Sequence, residues 1–550
     1  VGEVIRRELA TWDSGGGLAA LSFTNVARDA VSEALGGRLP SHPHFVGTLD
    51  SFVYRYVFRA FGPSVDPKLA RLRLVPAEVS DNLRGKWGGD ALTIEIEKRR
   101  VSLFEIHLRR FEEEGLQLSY KVAQMGEARP VPPSERNYVL RRKRDLWRDR
   151  GIASHSDLAY LAWTLVTHAK DGPTVCDLLA KRFPLLLLDE VQDTGWFLGE
   201  VICSLLRRPG VRGLIVGDRD QAIYQFGGAH PADLDRFESL PGAVAFPMRE
   251  SLRCSRAVCR VGSSLSWQGA EIEHSPGAVE GRAVLYVFDE MPDVEVLAAD
   301  LEQEAAGTPV TVLVRRRSTL DVVLGPQGGA PEFGSRTLRH LWNGCRHLHA
   351  GDTVKALSAA RASVCACMFG VEAPPTGGKD DESIAQKIRR TSAALLIGTM
   401  ALSPDLDAYD WGVGALGILR RLLGDLADDK AVSKMLRRPN RTKTQGVAIR
   451  DRLTVRDFVA DRRCTTIHGA KGETHGVTLL LVPKPKLKRH CPSRTWFDSE
   501  GSTADEERRV AFVAATRPRE AFALCVHRST YDALGRLAPE FVGLFDVREC

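Results

Sequence analysis

The apolar residues of the chain fall into short runs, most of them followed by a stretch with helical spacing. The first run is Leu18–Phe23, and Asn25–Leu35 follows it with apolar residues at the spacing of one helix face. The pattern returns at Leu185–Leu188, followed by a helix through Leu206, and at Gly213–Val216, followed by a turn. Short buried strands joined by helices are typical of a parallel sheet covered by helices. The fold class predicted is therefore α/β.

Two stretches interrupt this α/β pattern. From residue 66 to 169 the sequence is charged and helical in spacing, which predicts an inserted, mostly helical domain. Strands are predicted again at Ala283–Phe288, Val310–Val314 and Val477–Val482. The segment 331–449, rich in Gly, Pro and Asp, predicts a second helical insertion. Two α/β domains remain. We expect them to comprise residues 1–65 with 170–235, and residues 236–330 with 450–550.

Composition narrows the class of protein. With 550 residues, 43% hydrophobic and 27% charged, the chain reads as a soluble protein of several domains. Its longest apolar runs are far shorter than the ~20 residues of a membrane-spanning helix, which argues against a membrane protein. The 76 basic and 70 acidic residues give a net charge of +6, which allows a polyanionic partner without demanding one. Eleven scattered cysteines favour reduced thiols in a cytoplasmic protein over a zinc site.

Two carboxylates follow the most apolar of the predicted strands. Asp189 and Glu190 come directly after Leu185–Leu188 in the sequence LLLLDEVQDT. This is the carboxyl end of a strand, where open α/β sheets bind ligands, so Asp189 could hold Mg²⁺ and Glu190 could polarise water. The residues alone leave an alternative open, because acidic residues also stabilise the N-terminus of a following helix.

The segment after the next predicted strand favours the first of these alternatives. After Gly213–Val216 the sequence continues GDRDQAIYQFGGA, with Gln221 and Tyr224 near its centre. With DEVQD before it, this sequence resembles two motifs of superfamily 1 helicases of the UvrD/Rep/PcrA type, DExQD and GDxxQSIYxFRGA. The resemblance extends in order along nearly the whole chain. Further matching segments are LSFTN at 21–25, GTLDSF at 47–52, SLR at 251–253, TIHGAKGETH at 466–475 and EERRVAFVAATR at 506–517.

The resemblance implies a fold and an activity. The fold is two RecA-like parallel-sheet motor domains, each with a mostly helical inserted domain, and the cofactors are ATP and Mg²⁺. Phosphoryl transfer needs positioned charge, so the implied catalytic roles are Asp189 on Mg²⁺, Glu190 on the attacking water and Gln221 as a sensor of the γ-phosphate. Arg253 and Arg517 would be arginine fingers from the second motor domain. Further implied nucleotide contacts are Gln192, Glu473 and Thr474.

The same resemblance implies a groove for single-stranded DNA. Aromatic residues in it would stack on bases, and polar ones would contact phosphates and sugars without reading sequence. Phe52 is a further candidate to stack on a base, but an aromatic residue beside a strand is, taken singly, more often core, and both alternatives are open for Phe52. The residues implied to bind DNA are Phe23, Thr24, Asn25, Thr48, Ser51, Tyr224, Phe226, His468 and Lys471.

The sequence departs from the family's pattern at one important place. No GxxxxGK[ST] phosphate loop occurs in the 550 residues: Gly15–Gly17 lack a lysine, and Gly378–Lys379 is followed by an acid. We expect the loop to lie before Val1, as an N-terminal truncation rather than a natural loss, so that the chain as given would hydrolyse ATP poorly. Smaller departures are Gly227 for the usual arginine, Leu252 for tyrosine and Asp50 for histidine.

The function expected is an ATP-dependent 3′–5′ DNA helicase or translocase. Its substrates would be single-stranded DNA and single-strand/double-strand junctions, in DNA repair, replication or recombination, with a nuclease or repair protein as candidate partner. The alternative is a non-catalytic DNA-binding or complex-forming subunit, for example of a nuclease-linked defence system, that has lost ATP binding.

Overall fold

The fold is described from a computed structural model of the chain. The residues described are 1–22, 35–37, 40–74, 86–87, 90–91, 93–103, 106–111, 115–121, 128–225, 228–316, 319–320, 323, 333–349, 353–369, 381–424, 436–447, 449, 458–459, 462–485, 491–498 and 502–550. The chain divides into two compact units. Unit 1 comprises Val1–Leu74, Ile106–Val323 and Phe458–Cys550, and unit 2 comprises Val75–Glu105 and Leu324–Asp457.

The strands, in chain order, are β1 Leu18–Ser22, β2 Phe45–Thr48, β3 Arg73–Leu74, β4 Lys86–Trp87, β5 Asp90–Ala91, β6 Thr93–Ile96, β7 Arg99–Ser102, β8 Ile106–Phe111, β9 Gly115–Lys121, β10 Ala128–Pro130, β11 Ile152–Ala153, β12 Leu185–Leu188, β13 Arg212–Ile215, β14 Glu250–Ser251, β15 Glu273–His274, β16 Arg282–Phe288, β17 Val310–Val314, β18 Phe458–Val459, β19 Arg462–Thr466, β20 His475–Val482, β21 Pro518–His527 and β22 Asp546–Glu549.

The α-helices are α1 Gly2–Ala10, α2 Leu49–Phe52, α3 Arg59–Val65, α4 Pro133–Asp145, α5 His155–Thr167, α6 Gly172–Arg182, α7 Trp196–Leu206, α8 Asp235–Glu238, α9 Arg256–Leu265, α10 Val294–Glu304, α11 Arg336–His349, α12 Thr353–Phe369, α13 Asp381–Met400, α14 Ala408–Leu423, α15 Arg441–Thr444, α16 Pro492–Phe497, α17 Ser502–Ala515, α18 Arg528–Leu537 and α19 Pro539–Val542. Turns of π-helix at Val53–Phe58 and Leu146–Arg150 extend α2 and α4. None of the helices among the described residues is long and apolar enough to cross a membrane.

A four-stranded parallel sheet organises the first part of unit 1. Its strand order is β13-β12-β1-β2, with Leu21 opposite Leu188 and Leu188 opposite Ile215. All four residues of β12 are buried, because side chains on both faces are covered: α1 packs on one face, around Ile5, and a larger helical core lies on the other. A parallel strand buried on both faces is uniformly apolar, which is why it could be read from the sequence.

A seven-stranded sheet organises the second part of unit 1. Its order is β18-β19-β17-β20-β21-β16-β22, and every pairing is parallel except β18 with β19. The predicted strands at 283–288, 310–314 and 477–482 are β16, β17 and β20. The predicted α/β fold class with two parallel sheets is confirmed. We call residues 1–235 of unit 1 its first half and residues 236–550 of unit 1 its second half.

The prediction of a helical insertion over 66–169 is wrong for its first part. The described residues from 73 to 130 form short strands, and helix begins only at Pro133. In β6, Ile94 and Ile96 are buried and Glu95 between them is exposed, which is the alternation of a strand. Glu97 and Lys98 both have positive φ, the geometry of a two-residue hairpin turn into β7. Charged residues dominate the sequence TIEIEKRRVS, so this short alternation was not recognised as a strand.

Unit 2 has a helical core in its described residues between 333 and 449. Helices α11 to α14 surround Trp342 and Trp411, both fully buried, whose rings meet edge to face with centroids 5.0 Å apart. Phe333 packs on both rings. This is a separate hydrophobic core from those of the two sheets of unit 1.

Candidate functional site

Asp189 and Glu190 lie at the carboxyl edge of the four-stranded sheet, directly after β12. The Asp189 amide donates to the Leu21 carbonyl at 2.9 Å, so the sheet ladder continues to this residue. Glu190 has φ of 56°, a left-handed conformation that few residues other than glycine adopt, and its amide donates to Asp189 Oδ1 at 3.1 Å. Burial, and then the neighbouring charge of Glu190, raise the pKa of Asp189. Two acids are therefore held close together at the sheet edge.

Gln192 joins this pair of acids to the next strand. Its Nε2 donates to Glu190 Oε2 at 2.5 Å, and its Oε1 accepts from the Asp218 amide at 3.0 Å. The side chain is buried, so both ends of its amide are used inside the protein. The sequence predicted Gln192 as a nucleotide contact, whereas its geometry fixes the orientation of Glu190.

Gln221 and Arg517 meet across the two halves of unit 1. Asp218 accepts from Gln221 Nε2 at 2.7 Å, and Arg517 donates to Gln221 Oε1 at 2.9 Å. Arg517 is buried and also donates to the Val513 carbonyl at 3.0 Å. Burial, and then the positive charge of Arg253, lower the pKa of Arg517 to about 10, which leaves it protonated at neutral pH. The structure thus brings three of the predicted catalytic residues, Arg517, Gln221 and Arg253, into one neighbourhood.

Arg253 is the second cation of this neighbourhood. It donates to the Thr516 carbonyl at 2.7 Å, one residue before Arg517. Its Nε is buried with no hydrogen-bond partner among the described residues. Because two guanidinium groups repel each other when brought together, an anion between them would be bound favourably. Leu252, by contrast, is 85% exposed.

Lys471 and Asp193 form a buried ion pair between the halves. The Lys471 ammonium lies 2.5 and 2.7 Å from the two Asp193 carboxylate oxygens, and it also donates to the Gln221 carbonyl at 2.6 Å. The exposed fractions of the two side chains are only 4% and 1%. Burial raises the pKa of Asp193 to about 7, and the charge of Lys471 opposes that rise. A DNA phosphate could contact Lys471, as predicted, only by replacing Asp193.

Glu473 and Thr474, the two predicted ribose contacts, differ in accessibility. The Glu473 carboxylate accepts from Arg463 at 2.5 and 3.1 Å and lies 3.1 Å from His475 Nε2. Burial would raise the pKa of Glu473, but the hydrogen bonds from His475 and Arg463 lower it. Thr474 is exposed. Of the two, Thr474 is the side chain left open to a ligand.

The residues predicted to bind DNA are partly described. Phe23, Thr24, Asn25 and Phe226 lie outside the described residues. Thr48 accepts from the Ser51 amide at 3.3 Å and so begins α2, which presents the two hydroxyl groups together, 2.8 Å apart.

Three aromatic and imidazole side chains from the predicted groove have clear positions. Phe52 is fully buried among other aromatic rings, so it belongs to the core and not to a stacking surface. The Tyr224 hydroxyl donates to the His468 carbonyl at 3.4 Å, and His468 Nε2 lies 3.1 Å from the Ile223 carbonyl. The Lys471 ammonium lies 4.9 Å from the centre of the Tyr224 ring, a cation–π contact.

Three residues of this site were missed by the sequence reasoning. Asp193 stands in the DEVQD motif and was not singled out, although its partner lies 278 positions away. Arg509 donates to the Ala222 carbonyl at 2.8 Å from within the EERR sequence. Asp220 accepts from Ser266 at 2.7 Å. Each of the three is a charged residue inside a recognised motif, and this feature could have been used to predict it.

Comparison with known proteins agrees with this geometry. The family model of the UvrD/REP helicase N-terminal domain matches residues 5–241, somewhat less than half of the chain. This match supports a UvrD-like superfamily 1 helicase. The matched region of this UvrD-like protein includes the four-stranded sheet with Asp189, Glu190 and Gln221. A search of curated proteins found no match to it. The family is one of DNA helicases that use ATP and Mg²⁺, and the two parallel sheets agree with its two motor domains.

Proposed function

We propose that this UvrD-like protein is an ATP-dependent helicase or translocase that moves 3′ to 5′ on single-stranded DNA and acts at single-strand/double-strand junctions. The observation that carries the proposal is the bond from Arg517 to Gln221, which brings a cation of one half to the acid-lined sheet edge of the other. We further propose that it works in the cytoplasm, in DNA repair, replication or recombination, with a nuclease or repair protein as partner.

Asp189 fits the role of magnesium ligand. Its carboxylate accepts a hydrogen bond from the Glu190 amide. Burial beside a second acid disfavours its ionised form, so a hard divalent cation that takes oxygen ligands would stabilise the carboxylate there. When bound with ATP, Mg²⁺ would neutralise charge on the phosphates. The remaining ligands of such a cation are usually water and phosphate oxygens.

Glu190 is the proposed base that orients the attacking water. The Gln192 amide holds one carboxylate oxygen, which restricts the side chain and leaves the other oxygen to accept from water. Gln221 would then contact the γ-phosphate, and Arg517 and Arg253 would stabilise the charge that develops during transfer. Arginine fingers contribute about 10³–10⁵ in rate, so turnover would depend on the two halves being closed.

The DNA contacts proposed are of two kinds. The Thr48 and Ser51 hydroxyl groups would bind phosphate or sugar, as would His468, and these contacts carry no sequence information. Tyr224 would support a base through its ring, at about 1–3 kcal/mol per stacked base. Lys471 would reach a phosphate by exchanging partners with Asp193. By resemblance, the groove continues through Phe23, Thr24, Asn25 and Phe226.

The Glu190→Gln variant tests the proposed function. Because a general base contributes about 10²–10⁴ in rate, we expect the ATP turnover number in the presence of oligo(dT) to fall at least 100-fold, with the DNA dissociation constant unchanged. Glu238→Gln, at an exposed acid that pairs with Arg219, is the control and should change neither quantity. Turnover within twofold of the unsubstituted protein would show that Glu190 is not the base.

A second candidate function is a subunit that binds DNA without turning over ATP. It is favoured by the enclosed Glu473 carboxylate, which already accepts hydrogen bonds from Arg463. The DNA immediately upstream of the Val1 codon discriminates between the two candidates: an in-frame GxxxxGK[ST] favours the motor. Since we expect the 550 residues alone to hydrolyse ATP poorly, turnover should be measured on a polypeptide that includes such a segment if it is encoded.

A further inference from the structure

Residues 220–225, which we call the clamped segment, belong by sequence to the first half of unit 1 but are held by the second half. The segment begins at Asp220, whose carboxylate accepts from the Ser266 hydroxyl at 2.7 Å and from the Trp267 amide at 2.6 Å. Both partners follow α9 of the second half. The first residue of the clamped segment is therefore fixed to the opposite half.

Three successive carbonyl groups of the clamped segment continue this attachment. The carbonyl of Gln221 accepts from Lys471 at 2.6 Å. The carbonyl of Ala222 accepts from Arg509 Nε at 2.8 Å, and that of Ile223 lies 3.1 Å from His468 Nε2. Bonds to charged donors are stronger than neutral ones, so such a row holds the backbone firmly.

Arg509 is the most enclosed of the side chains in this row. Its exposed fraction is 1%, and its guanidinium carbon lies 5.3 Å from the centre of the Trp267 ring. Its NH2 nitrogen is buried and has no hydrogen-bond partner among the described residues. Burying a guanidinium in this way is costly, so the position is maintained against a penalty. In this position the Arg509 Nε makes one hydrogen bond, to the Ala222 carbonyl.

Arg508, the preceding residue on α17, makes its hydrogen bonds within the second half. It donates to the carbonyls of Leu265 and Ser264 at 3.2 and 3.3 Å. Both acceptors lie in α9 of the second half, so this bond joins two helices of one core. Arg509 makes the same kind of bond but directs it across to the other half, next to Gln221.

We propose that Arg509 is a positioning residue for Gln221, and this rests on the proposed function of that glutamine as the phosphate sensor. Ala222 directly follows Gln221 in the chain. Fixing the Ala222 carbonyl therefore restricts the backbone that carries the Gln221 side chain. The Gln221 side chain is thereby kept within reach of Arg517. Nucleotide turnover then depends on a guanidinium that does not touch the nucleotide.

Hydrogen exchange tests the positional part of this proposal on the full chain. In Arg509→Met we expect amides of residues 219–226 to exchange about tenfold faster, and in Arg509→Lys we expect protection to return, because a lysine can still donate to the carbonyl. Arg508→Met is the matched control, and its faster exchange should be confined to residues 258–268. Equal exchange of 219–226 in Arg509→Met and the unsubstituted protein overturns the proposal.

ATP kinetics test the functional part, on a polypeptide that includes the GxxxxGK[ST] segment if one is encoded upstream of Val1. In Arg509→Met the turnover number should fall about tenfold with KM within twofold, and Arg508→Met should retain both constants. Faster exchange with an unchanged turnover number also overturns the proposal, since Arg509 would then only stabilise the fold. If the unsubstituted protein shows no DNA-stimulated turnover, the proposed function fails, and the proposal fails with it because it rests on that function. The exchange data still report separately whether Arg509 fixes the clamped segment.

Discussion

Replacing Lys471 by methionine should destabilise unit 1 strongly, because it leaves Asp193 buried without its partner. The ammonium contacts both oxygens of a carboxylate that is 1% exposed. Removing one partner of a buried ion pair costs about 3–5 kcal/mol. Lys68→Met is the control, since Lys68 pairs with Asp149 at a similar distance but both are more than half exposed. That control should leave stability nearly unchanged.

The loss in Lys471→Met should grow as the pH rises. Burial already raises the pKa of Asp193 to about 7, against about 3.9 for an unfolded aspartate, so its cost to the fold is absent at low pH and complete above pH 7. Without Lys471 that pKa rises further, and each unit adds about 1.4 kcal/mol. At pH 5 the folded carboxyl is protonated with or without the lysine, so the two proteins should differ little there.

Urea unfolding followed by tryptophan fluorescence at pH 5 and pH 8.5 measures this difference. The double variant Lys471→Met/Asp193→Asn removes the unpaired charge and should recover most of the stability lost at pH 8.5. A loss below about 1 kcal/mol at pH 8.5, or an equal loss at both pH values, would refute the account of a desolvated pair.

Two further predictions concern pairs elsewhere in unit 1. Lys143 and Asp157 are both fully buried and 2.6 Å apart, so Lys143→Met should cost about 3–5 kcal/mol in urea unfolding, while Lys143→Met/Asp157→Leu should recover part of it, less the helix cap that Asp157 completes. The hydrogen bond that His155 donates to the Asp50 carboxylate raises the pKa of His155, so Asp50→Asn should lower that pKa in an NMR titration. The stability this pair contributes should be present at low pH and disappear as the pH passes the folded pKa of His155; an unchanged His155 pKa would exclude the pairing.

Much of the fold could be predicted because its signals are local. A run such as Leu185–Leu188 is buried on both faces of a parallel sheet, so its apolar character is continuous and its end marks the carboxyl edge where Asp189 stands. The β6–β7 hairpin was misread for the opposite reason. With only Ile94, Ile96 and Val101 buried among charged residues, three positions were too few to outweigh a helical interpretation.

The candidate site could be predicted only in part, because its contacts join distant positions. The motifs named Gln221 and Arg517, but nothing in a single sequence pairs Asp193 with Lys471, or Asp50 with His155 105 positions later. Asp50 stands where the family's pattern has histidine, and a free carboxylate there would repel a phosphate. In the structure that charge is instead shared with an imidazole from the start of α5.

The clamped segment also determines how this protein can be dissected into fragments. A boundary at residue 235, which chain order suggests, would give a second-half fragment whose Arg509 and Lys471 have lost the carbonyl groups that accept from them. Those cations would then be exposed to solvent or bind other anions. The fragment would be prone to aggregate or to bind polyanions nonspecifically. A fragment that represents the second half should therefore include residues 218–228, joined by a linker. Peptides of that sequence, added as separate molecules, would compete for the same binding position.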